Sequence, residues 1–198
     1  MYRFIESIRI ENGEAPLLFW HQKRLTACMR RFFPGVSPHS LESLVSRYRD
    51  IKQPHKLRIV YDRSIREISC TPYYPRGIRK FHPADAGAIS YNWKYADRSV
   101  FQEIKKGYPE SDELILVKDG LVTDTSYANL AFYRGGYWYT PALPLLRGVR
   151  MEYLVNKGML HPRDISVDAL RHYDKFCQIN AMLPMDETTH YQISCIEK

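Results

Sequence analysis

The residues of this 198-residue chain that could do chemistry are concentrated in five short segments. In chain order these are HQKRL at 21–25, YNWKYADR at 91–98, DELILVKDGLVTDTSYANL at 112–130, YTPALPLLRGVR at 139–150 and INAMLP at 179–184. A lysine amine held away from water can act as a nucleophile, and an arginine guanidinium can bind two oxygens of one anion. The segments therefore offer covalent and anion-binding chemistry if the fold brings them together.

The common catalytic motifs are missing from the sequence. It contains no G-x-G-x-x-G, phosphate-loop, zincin or nucleophile-elbow pattern, so the usual nucleotide, metalloprotease and serine hydrolase functions have no support. The seven histidines form no H-x-x-x-H or H-x-H pair, and we expect each to be solvated or singly hydrogen-bonded. The four cysteines lie far apart without a C-x-x-C pair, which predicts buried reduced thiols.

Length and composition indicate one ordinary globular domain or two small packed lobes. No apolar run approaches the ~20 residues that cross a bilayer, so we expect no membrane partner. The excess of 29 Lys and Arg over 22 Asp and Glu gives a net charge of +7, which favours an anionic partner. Without a block of like charge or an RNA-recognition signature, we expect no nucleic acid as partner. The first ten residues lack the features of a secretory signal, which predicts a cytoplasmic protein.

Hydrophobic periodicity predicts a strand, two helices and a sheet in the N-terminal half. Over 3–10, Phe4, Ile8 and Ile10 alternate along a strand that leads to a turn at Asn12-Gly13. Glu6 points with this apolar set. The other predicted elements are a helix over 21–33 ended by Pro34-Gly35, a helix opened by Ser37-Pro38, and antiparallel strands over 56–61 and 67–73.

The C-terminal half mixes strands and helices. The predicted elements are a strand over 87–93, a helix over 97–106, hairpins turning at Asp119-Gly120 and Gly135-Gly136, a helix over 149–157 closed by Gly158, and a strand over 175–182. Lys94 then falls at a strand-to-helix junction, where functional side chains often lie. Because no steady β-α-β alternation occurs, the predicted fold class is α+β.

In this order, the five segments resemble the class IV aminotransferase family, the pyridoxal phosphate (PLP) enzymes of fold type IV. The resemblance runs from Phe4 to Pro184, nearly the whole chain. It implies an α+β fold with the two lobes of the D-amino-acid aminotransferase-like architecture, for which we expect an N-terminal lobe over 1–90 and a C-terminal lobe over 91–198. It also implies pyridoxal 5'-phosphate as cofactor, a small anionic amine as substrate and a homodimer.

The resemblance assigns the covalent contact with the cofactor to Lys94. In the family this lysine binds the PLP aldehyde and later shuttles a proton, and partial desolvation suits both roles because it favours the neutral amine. Arg24 matches the arginine that binds the cofactor phosphate, which a guanidinium can hold through two oxygens. Lys105 and Lys106 nearby are expected to be solvated surface residues.

Asp124 departs from the family pattern. The family places a glutamate there, facing the pyridine nitrogen, so that the ring stays protonated and withdraws electrons. Aspartate is one methylene shorter than glutamate. This leaves three alternatives: the cofactor lies closer, a water bridges the gap, or the ring withdraws electrons less strongly. A purely structural role, in which Asp124 bonds the amides of its own turn, is open as well. Asn129 is expected to hold the loop after Asp124.

Two more segments match family contacts with the cofactor phosphate. Gly148, Val149 and Arg150 correspond to a G-I-T segment whose amides open a helix against the phosphate. The hydroxyl is absent here, and Arg150 is expected to contribute charge instead. Asn180 and Ala181 match a last-strand segment that passes near the phosphate.

Two details favour aminodeoxychorismate lyase within this family. The segment 94–98 resembles the lyase pattern K-x-x-N-R, and INAMLPM resembles C-N-A-L-M-P-V. That enzyme converts 4-amino-4-deoxychorismate into p-aminobenzoate and pyruvate for folate biosynthesis. Glu6 matches branched-chain and D-amino-acid aminotransferases instead, so transamination is the alternative, and a degenerate, non-catalytic PLP-binding protein is the second alternative. Family members carry a hairpin before the first strand. The shortened N-terminus of this sequence leaves three alternatives: a more open substrate side, a changed substrate or a lost activity.

Overall fold

The computed structural model describes residues 2–186 and 190–197. The chain divides into two compact units, the first formed by Met1–Pro75 with Trp93–Asp97 and the second by Arg76–Asn92 with Arg98–Lys198. We call them the N-unit and the C-unit. The boundary expected at residue 90 differs from this division. Residues 76–90, which precede it, belong to the C-unit, whereas Trp93–Asp97, which follows it, belongs to the N-unit.

The N-unit is a three-stranded antiparallel sheet with helices. Its elements are β1 (Phe4–Ile10), α1 (Leu18–Phe32), α2 (Leu41–Val45), β2 (His55–Tyr61) and β3 (Ile65–Pro72), and the strand order is β1-β2-β3. The apolar face of β1 packs with Leu25 and Met29 of α1, all of them fully buried. The predicted strand, the helix after it and the antiparallel pair are therefore confirmed, with shifted ends.

The start of α2 is a correction to the prediction. The helix begins at Leu41, so Ser40 rather than Ser37 precedes its first turn, and the Ser40 side chain accepts a hydrogen bond from the Ser43 amide. The Leu41 amide donates to Oε1 of Gln22 at 2.8 Å. The helix start is therefore set by the Ser40 cap together with a contact to α1, and not by the Ser-Pro signal.

The C-unit is built on one mixed eight-stranded sheet. Its elements are β4 (Phe81–Asp85), α3 (Ser99–Lys106), β5 (Glu113–Lys118), β6 (Leu121–Thr125), β7 (Asn129–Arg134), β8 (Tyr137–Pro141), α4 (Val149–Asn156), β9 (His161–Arg163), β10 (Lys175–Ile179) and β11 (His190–Gln192). The order β11-β10-β7-β6-β5-β4 forms the main path, with β8 and β9 beside β7. Only the β4–β5 and β8–β9 pairs among the described strands are parallel. The α+β prediction is confirmed.

One predicted strand is wrong. Residues 87–93 form turns and irregular backbone, and the strand of this region is β4, which ends at Asp85. Gly87 adopts a φ of 51°, which breaks an extended chain. The two predicted hairpins are confirmed as β5–β6 and β7–β8.

Two expectations from composition concern the cysteines and the membrane. All four cysteines are free thiols, but only Cys28 and Cys177 are buried, whereas Cys70 and Cys195 are partly exposed. Within residues 2–186 and 190–197, every helix is too short or too polar to cross a bilayer.

Candidate active site

Arg24 forms a buried cluster with two other charged or titratable side chains in the N-unit, Glu6 and His21. Nε of Arg24 donates to Oε1 of Glu6 at 2.9 Å, and Nη2 donates to Oε2 at 2.5 Å. His21 lies one helical turn before Arg24 on α1, and its Nδ1 bonds Oε2 of Glu6 at 2.6 Å. The side chains of Glu6 and His21 are 0% and 1% exposed, and that of Arg24 is 14% exposed.

The charges of this cluster follow from burial and pairing. Burial by itself raises the pKa of Glu6, but the Arg24 charge and the hydrogen bonds from His21 and Arg24 outweigh it and lower that pKa to about 2. Burial lowers the pKa of His21 despite its bond to Glu6, so the ring is neutral at pH 7. The neutral ring donates its Nδ1–H to the carboxylate. Its Nε2 is then a buried acceptor that has no hydrogen-bond partner among the described residues.

Lys94 lies in the Trp93–Asp97 segment, which pairs with β1. The Ile5 amide donates to the Lys94 carbonyl at 2.9 Å, and the Tyr95 ring lies 5.2 Å from the Phe4 ring. Lys94 is partly buried. Burial is the main cause of the low His21 pKa, and the positive charge of Lys94 lowers it further, which places the amine within electrostatic reach of the cluster. Lys94 and Arg24 thus belong to the same unit, although the sequence had assigned Lys94 to the C-terminal lobe.

Asp124 is held in the C-unit at the end of β6. Its carboxylate is buried, with Oδ1 accepting from Nδ2 of Asn129 at 2.6 Å and Oδ2 accepting from the Leu146 amide at 2.9 Å. These partners lie 5 and 22 residues further along the chain. The contacts connect Asp124 to the segment before α4, and thus go beyond the bonds to its own turn that a purely local role would need.

Asn129 connects Asp124 to the residues immediately before α4. Its Nδ2 also donates to the Leu146 carbonyl at 2.8 Å, while its Oδ1 accepts from the Gly148 amide at 3.2 Å. A Cβ atom at Gly148 would lie 2.2 Å from Oδ1, so this close approach requires glycine. Val149 begins the helix and is 4% exposed. The expected loop-holding role of Asn129 fits these bonds.

Arg150 connects α4 to the segment after β10. Its Nε donates to the Asn180 carbonyl at 2.7 Å, and its Nη2 donates to the Ala181 carbonyl at 3.2 Å. Oδ1 of Asn180 accepts from the Met182 and Leu183 amides, which closes that turn. The C-unit therefore joins its predicted cofactor-binding residues in two groups that meet at residues 148–150. Asp124 is joined to the Gly148 amide through Asn129, and Arg150, next to Val149, is joined to Asn180 and Ala181. Part of the Arg150 guanidinium is used within the protein and not reserved for an external anion.

The loop after Asp124 has supports that sequence reasoning missed. Oε1 of buried Glu113 accepts from the Ser126 amide at 3.0 Å, and Nε2 of buried Gln178 donates to Oγ1 of Thr125 at 2.9 Å. Tyr127 donates its hydroxyl to Oε1 of Gln178 at 2.9 Å. The loop is thereby fixed from two strands, β5 and β10.

Glu6 and His21 are the other residues that sequence reasoning missed. The signal was present, because Glu6 alternates with apolar residues and a carboxylate on a core face requires a charged or donor partner. A helix that carries HQKR was an available source of both donors. In the described part of the chain, no group of three or more His, Cys, Asp or Glu side chains is placed to hold a metal ion.

Comparison with known proteins identifies the class. Residues 3–186 match the family model for amino-transferase class IV, so the chain belongs to that family. The family depends on PLP, and the fold is that of the fold type IV enzymes.

Individual relatives span nearly the same length. An uncharacterized protein of Haemophilus influenzae is 33% identical over 185 residues, covering 92% of this chain and 98% of that protein. The structure of a proposed 4-amino-4-deoxychorismate lyase from Haemophilus somnus is 29% identical, with a TM-score of 0.84 over 92% of this chain and 97% of that chain. A PLP-bound hypothetical aminotransferase from Mycobacterium tuberculosis shares the fold at 18% identity, with a TM-score of 0.75 over 98% and 81% of the two chains.

The donor groups of the two units fit PLP by their chemistry. The N-unit offers the amine of Lys94 for an aldehyde and the guanidinium of Arg24, whose five N–H groups exceed the two that Glu6 binds. The C-unit offers the carboxylate of Asp124 for a protonated ring nitrogen and the first amides of α4 for a phosphate. Each group that PLP requires therefore has a counterpart in the chain.

Proposed function

We propose that the chain is a PLP-dependent enzyme that cleaves 4-amino-4-deoxychorismate into p-aminobenzoate and pyruvate. The observation that carries the proposal is the presence of Lys94 and Arg24 in one unit around the buried Glu6–His21 pair. The lyase reaction is favoured because the relative from Haemophilus somnus, itself a proposed lyase, is 29% identical over nearly its whole length.

Each residue has a definite task in this proposal. When bound, PLP supplies an aldehyde that captures the substrate amine and a ring that stabilises negative charge on the neighbouring carbon. Lys94 would hold the cofactor through its aldehyde and, as a free amine, would remove the proton from the ring carbon that bears the substrate amine. As the C–O bond between the ring and the enolpyruvyl group breaks, Nζ would return that proton to the methylene carbon of the leaving group, which gives pyruvate and the aromatic ring. Arg24 orients the phosphate, and Asp124 keeps the pyridine nitrogen protonated.

The charge distribution supports a substrate with two carboxylates. The N-unit sequence contains fourteen Lys and Arg against eight Asp and Glu, a net +6, whereas the C-unit has fifteen against fourteen, a net +1. Almost all of the excess positive charge therefore belongs to the unit that holds Lys94. A positive field raises the local concentration of anionic substrates.

The binding arm of the test is spectroscopic. Protein incubated with PLP and freed of excess cofactor is expected to show a visible absorption band and, after borohydride reduction, the mass of one attached cofactor. Lys94→Ala is expected to lose both signals. Lys106→Ala is the matched control, because that lysine is exposed and pairs with Glu103 at 2.7 Å on α3.

The product arm separates the reactions. Release of p-aminobenzoate supports the lyase, whereas transfer of an amino group to 2-oxoglutarate from branched-chain or D-amino acids supports the aminotransferase, which Glu6 favours. Binding of PLP with neither product leaves the non-catalytic PLP-binding protein. Absence of the band and of the mass shift in the unmodified protein would overturn all three.

A homodimer and a small anionic amine as substrate belong to the same proposal. The family is commonly dimeric with the active site near the subunit contact. Sedimentation equilibrium is expected to give twice the chain mass of 23.4 kDa. A single-chain mass at the concentrations used in the activity assay would contradict the dimer.

A further inference from the structure

Among the residues that the structure describes, Arg24 is hydrogen-bonded along one edge, to Glu6. Its Nε and Nη2 atoms donate to the two oxygens of Glu6, at 2.9 and 2.5 Å, which is the side-on bidentate arrangement of a guanidinium with a carboxylate. A guanidinium has five N–H groups in one plane, so three remain after these two bonds. Two of the three belong to Nη1, and the third is the second hydrogen of Nη2. One hydrogen of Nη1 and the second hydrogen of Nη2 form the end edge of the group, which can bind two oxygens of a second anion.

Glu6 cannot leave Arg24 without a large penalty. Its side chain is 0% exposed, so it has no path to water by a simple rotation, and its second donor is the equally buried His21. An anion that displaced Glu6 would leave an ionised carboxylate buried beside a neutral ring. An anion bound to the end edge of Arg24 leaves every bond of Glu6 intact. The geometry therefore favours addition of a second anion over exchange.

The geometry points to Glu6 as a positioning residue for Arg24, held in turn by His21, that directs the end edge of the guanidinium toward the phosphate of the cofactor. This inference rests on the proposed function, because it takes the PLP phosphate as the second anion. His21 fixes Glu6 through the 2.6 Å bond to Oε2, the same oxygen that accepts from Nη2 of Arg24. Glu6 itself contacts no cofactor in this arrangement.

The test measures the phosphate contribution to binding apart from the aldehyde chemistry. Dissociation constants for pyridoxamine 5'-phosphate and pyridoxamine are determined by calorimetry. The ratio used is the dissociation constant of pyridoxamine divided by that of pyridoxamine 5'-phosphate, so a large ratio reports a large contribution of the phosphate. Neither ligand has an aldehyde, so Lys94 forms no covalent bond with them. In the unmodified protein the phosphate is expected to strengthen binding strongly, and Arg24→Gln is expected to lose most of this advantage.

Glu6→Gln is expected to lower the ratio at least about tenfold toward the Arg24→Gln value, because the guanidinium keeps its charge but loses its fixed orientation. Binding of pyridoxamine is expected to change little, which a general loss of structure would not allow. Asp62→Asn is the matched control. Asp62 is a second buried carboxylate of the N-unit, 3% exposed, and binds Nε of Arg66 at 2.8 Å through both oxygens. This variant is expected to keep the ratio within about twofold.

Several outcomes overturn the inference. A Glu6→Gln protein with the full phosphate advantage shows that Arg24 needs no orienting carboxylate, and a larger advantage shows that Glu6 competes with the phosphate. Glu6→Asp keeps the charge but shortens the side chain, so it is also expected to lower the ratio, and it decides the question if Glu6→Gln does not fold. Failure of the unmodified protein to bind either ligand contradicts the proposed function instead.

Discussion

The Gly148 amide donates a hydrogen bond of 3.2 Å to Oδ1 of Asn129, and a Cβ atom on residue 148 would lie 2.2 Å from the same oxygen. The φ of Gly148 is −72°, a value that any residue adopts, so the requirement for glycine is steric and not conformational. The backbone before α4 approaches Asn129 closely because Nδ2 of the same side chain also binds Asp124 and the Leu146 carbonyl. Asn129 therefore determines both where the helix starts and where the Asp124 carboxylate lies.

Gly148→Ala is expected to destabilise the protein by about 1–3 kcal/mol, because the added methyl group forces Asn129 or the start of α4 to move. The measurement is the free energy of unfolding in denaturant without PLP. Gly77→Ala is the control, since a Cβ atom there meets nothing within 4 Å and its φ lies outside the left-handed region. An equal effect of both substitutions would show that the close contact with Asn129 has no energetic weight.

Local signals predicted the hairpins well. At Asp119-Gly120 and at Gly135-Gly136 both central residues have positive φ, between 52° and 87°, which is the backbone of a two-residue type I′ turn. Few residue types accept that conformation, so the sequence at these points specifies the turn without help from the rest of the fold. The predicted helix over 149–157 also agrees with α4 to within one residue.

Elements that depend on distant partners were harder to predict. β4 pairs in parallel with β5, with Phe81 opposite Glu113, and a parallel partner beyond a helix leaves no local mark in the sequence. The sequence therefore predicts a strand over 87–93, whereas the strand of this region lies before it, over Phe81–Asp85. The division of the chain into units was hard to predict for the same reason. Trp93–Asp97 belongs to the N-unit because Tyr95 pairs with Phe4 of β1, about ninety residues earlier in the chain.

The candidate site was predicted as residues but not as a network. Family resemblance supplied Arg24, Asp124 and Arg150 as separate contacts with a cofactor. The structure adds the protein partners of each one, and those partners lie between 5 and 31 residues away along the chain. Alternation had already placed Glu6 on the core face of β1, but only the packing of α1 shows which donors it meets.

Asn129→Asp is expected to place a second carboxylate beside Asp124 and to destabilise the protein at pH 7 by about 3 kcal/mol or more. Two carboxylates at this separation share a proton in the folded state, which raises their pKa above the ordinary value of about 3.9. A raised pKa makes the folded state bind more protons than the unfolded chain, so stability falls as the pH rises through this range. The deficit relative to the unmodified protein is thus smallest near pH 4 and largest near pH 7.

Denaturation curves at several pH values measure this deficit. Asn129→Ala is the control, because it removes the same hydrogen bonds without adding a charge, and its deficit is expected to vary less with pH. A deficit of Asn129→Asp that stays constant between pH 4 and 7 would contradict the close pairing with Asp124.

His21 is expected to make stability depend on pH below 6.5. Burial lowers its pKa from 6.5 in the folded protein, so below that pH the unfolded chain binds a proton that the folded ring refuses. The contribution is complete above pH 6.5 and is lost as the pH falls, by up to about 1.4 kcal/mol per pH unit. His21→Asn cannot bind this proton, so the stability difference between the unmodified protein and the variant is expected to shrink from pH 7 to pH 5.

The matched control for this dependence is His172→Asn, at an exposed histidine of the C-unit. Its stability is expected to run parallel to that of the unmodified protein over the same range, measured by guanidinium denaturation at pH 7, 6 and 5. A difference for His21→Asn that grows as the pH falls would mean that the ring is charged in the folded state.

Arg150→Met is expected to cost about 2–3 kcal/mol of stability, because the methionine keeps the packing of the apolar stem but loses the charged hydrogen bonds to the Asn180 and Ala181 carbonyls. The stability of Arg150→Lys is expected to lie between that of the unmodified protein and that of Arg150→Met, because an ammonium on a flexible stem does not reproduce the planar guanidinium that reaches both oxygens. Arg147→Met is the control: Arg147 is 63% exposed, its pair with Glu152 lies on the surface, and the change is expected to stay within about 0.5 kcal/mol. Measured without PLP, a loss at Arg150 reports contacts within the protein and not contacts with a cofactor. Equal stability of the two methionine variants would instead leave the Arg150 guanidinium without a structural role, and assign its charge to the binding of an anion.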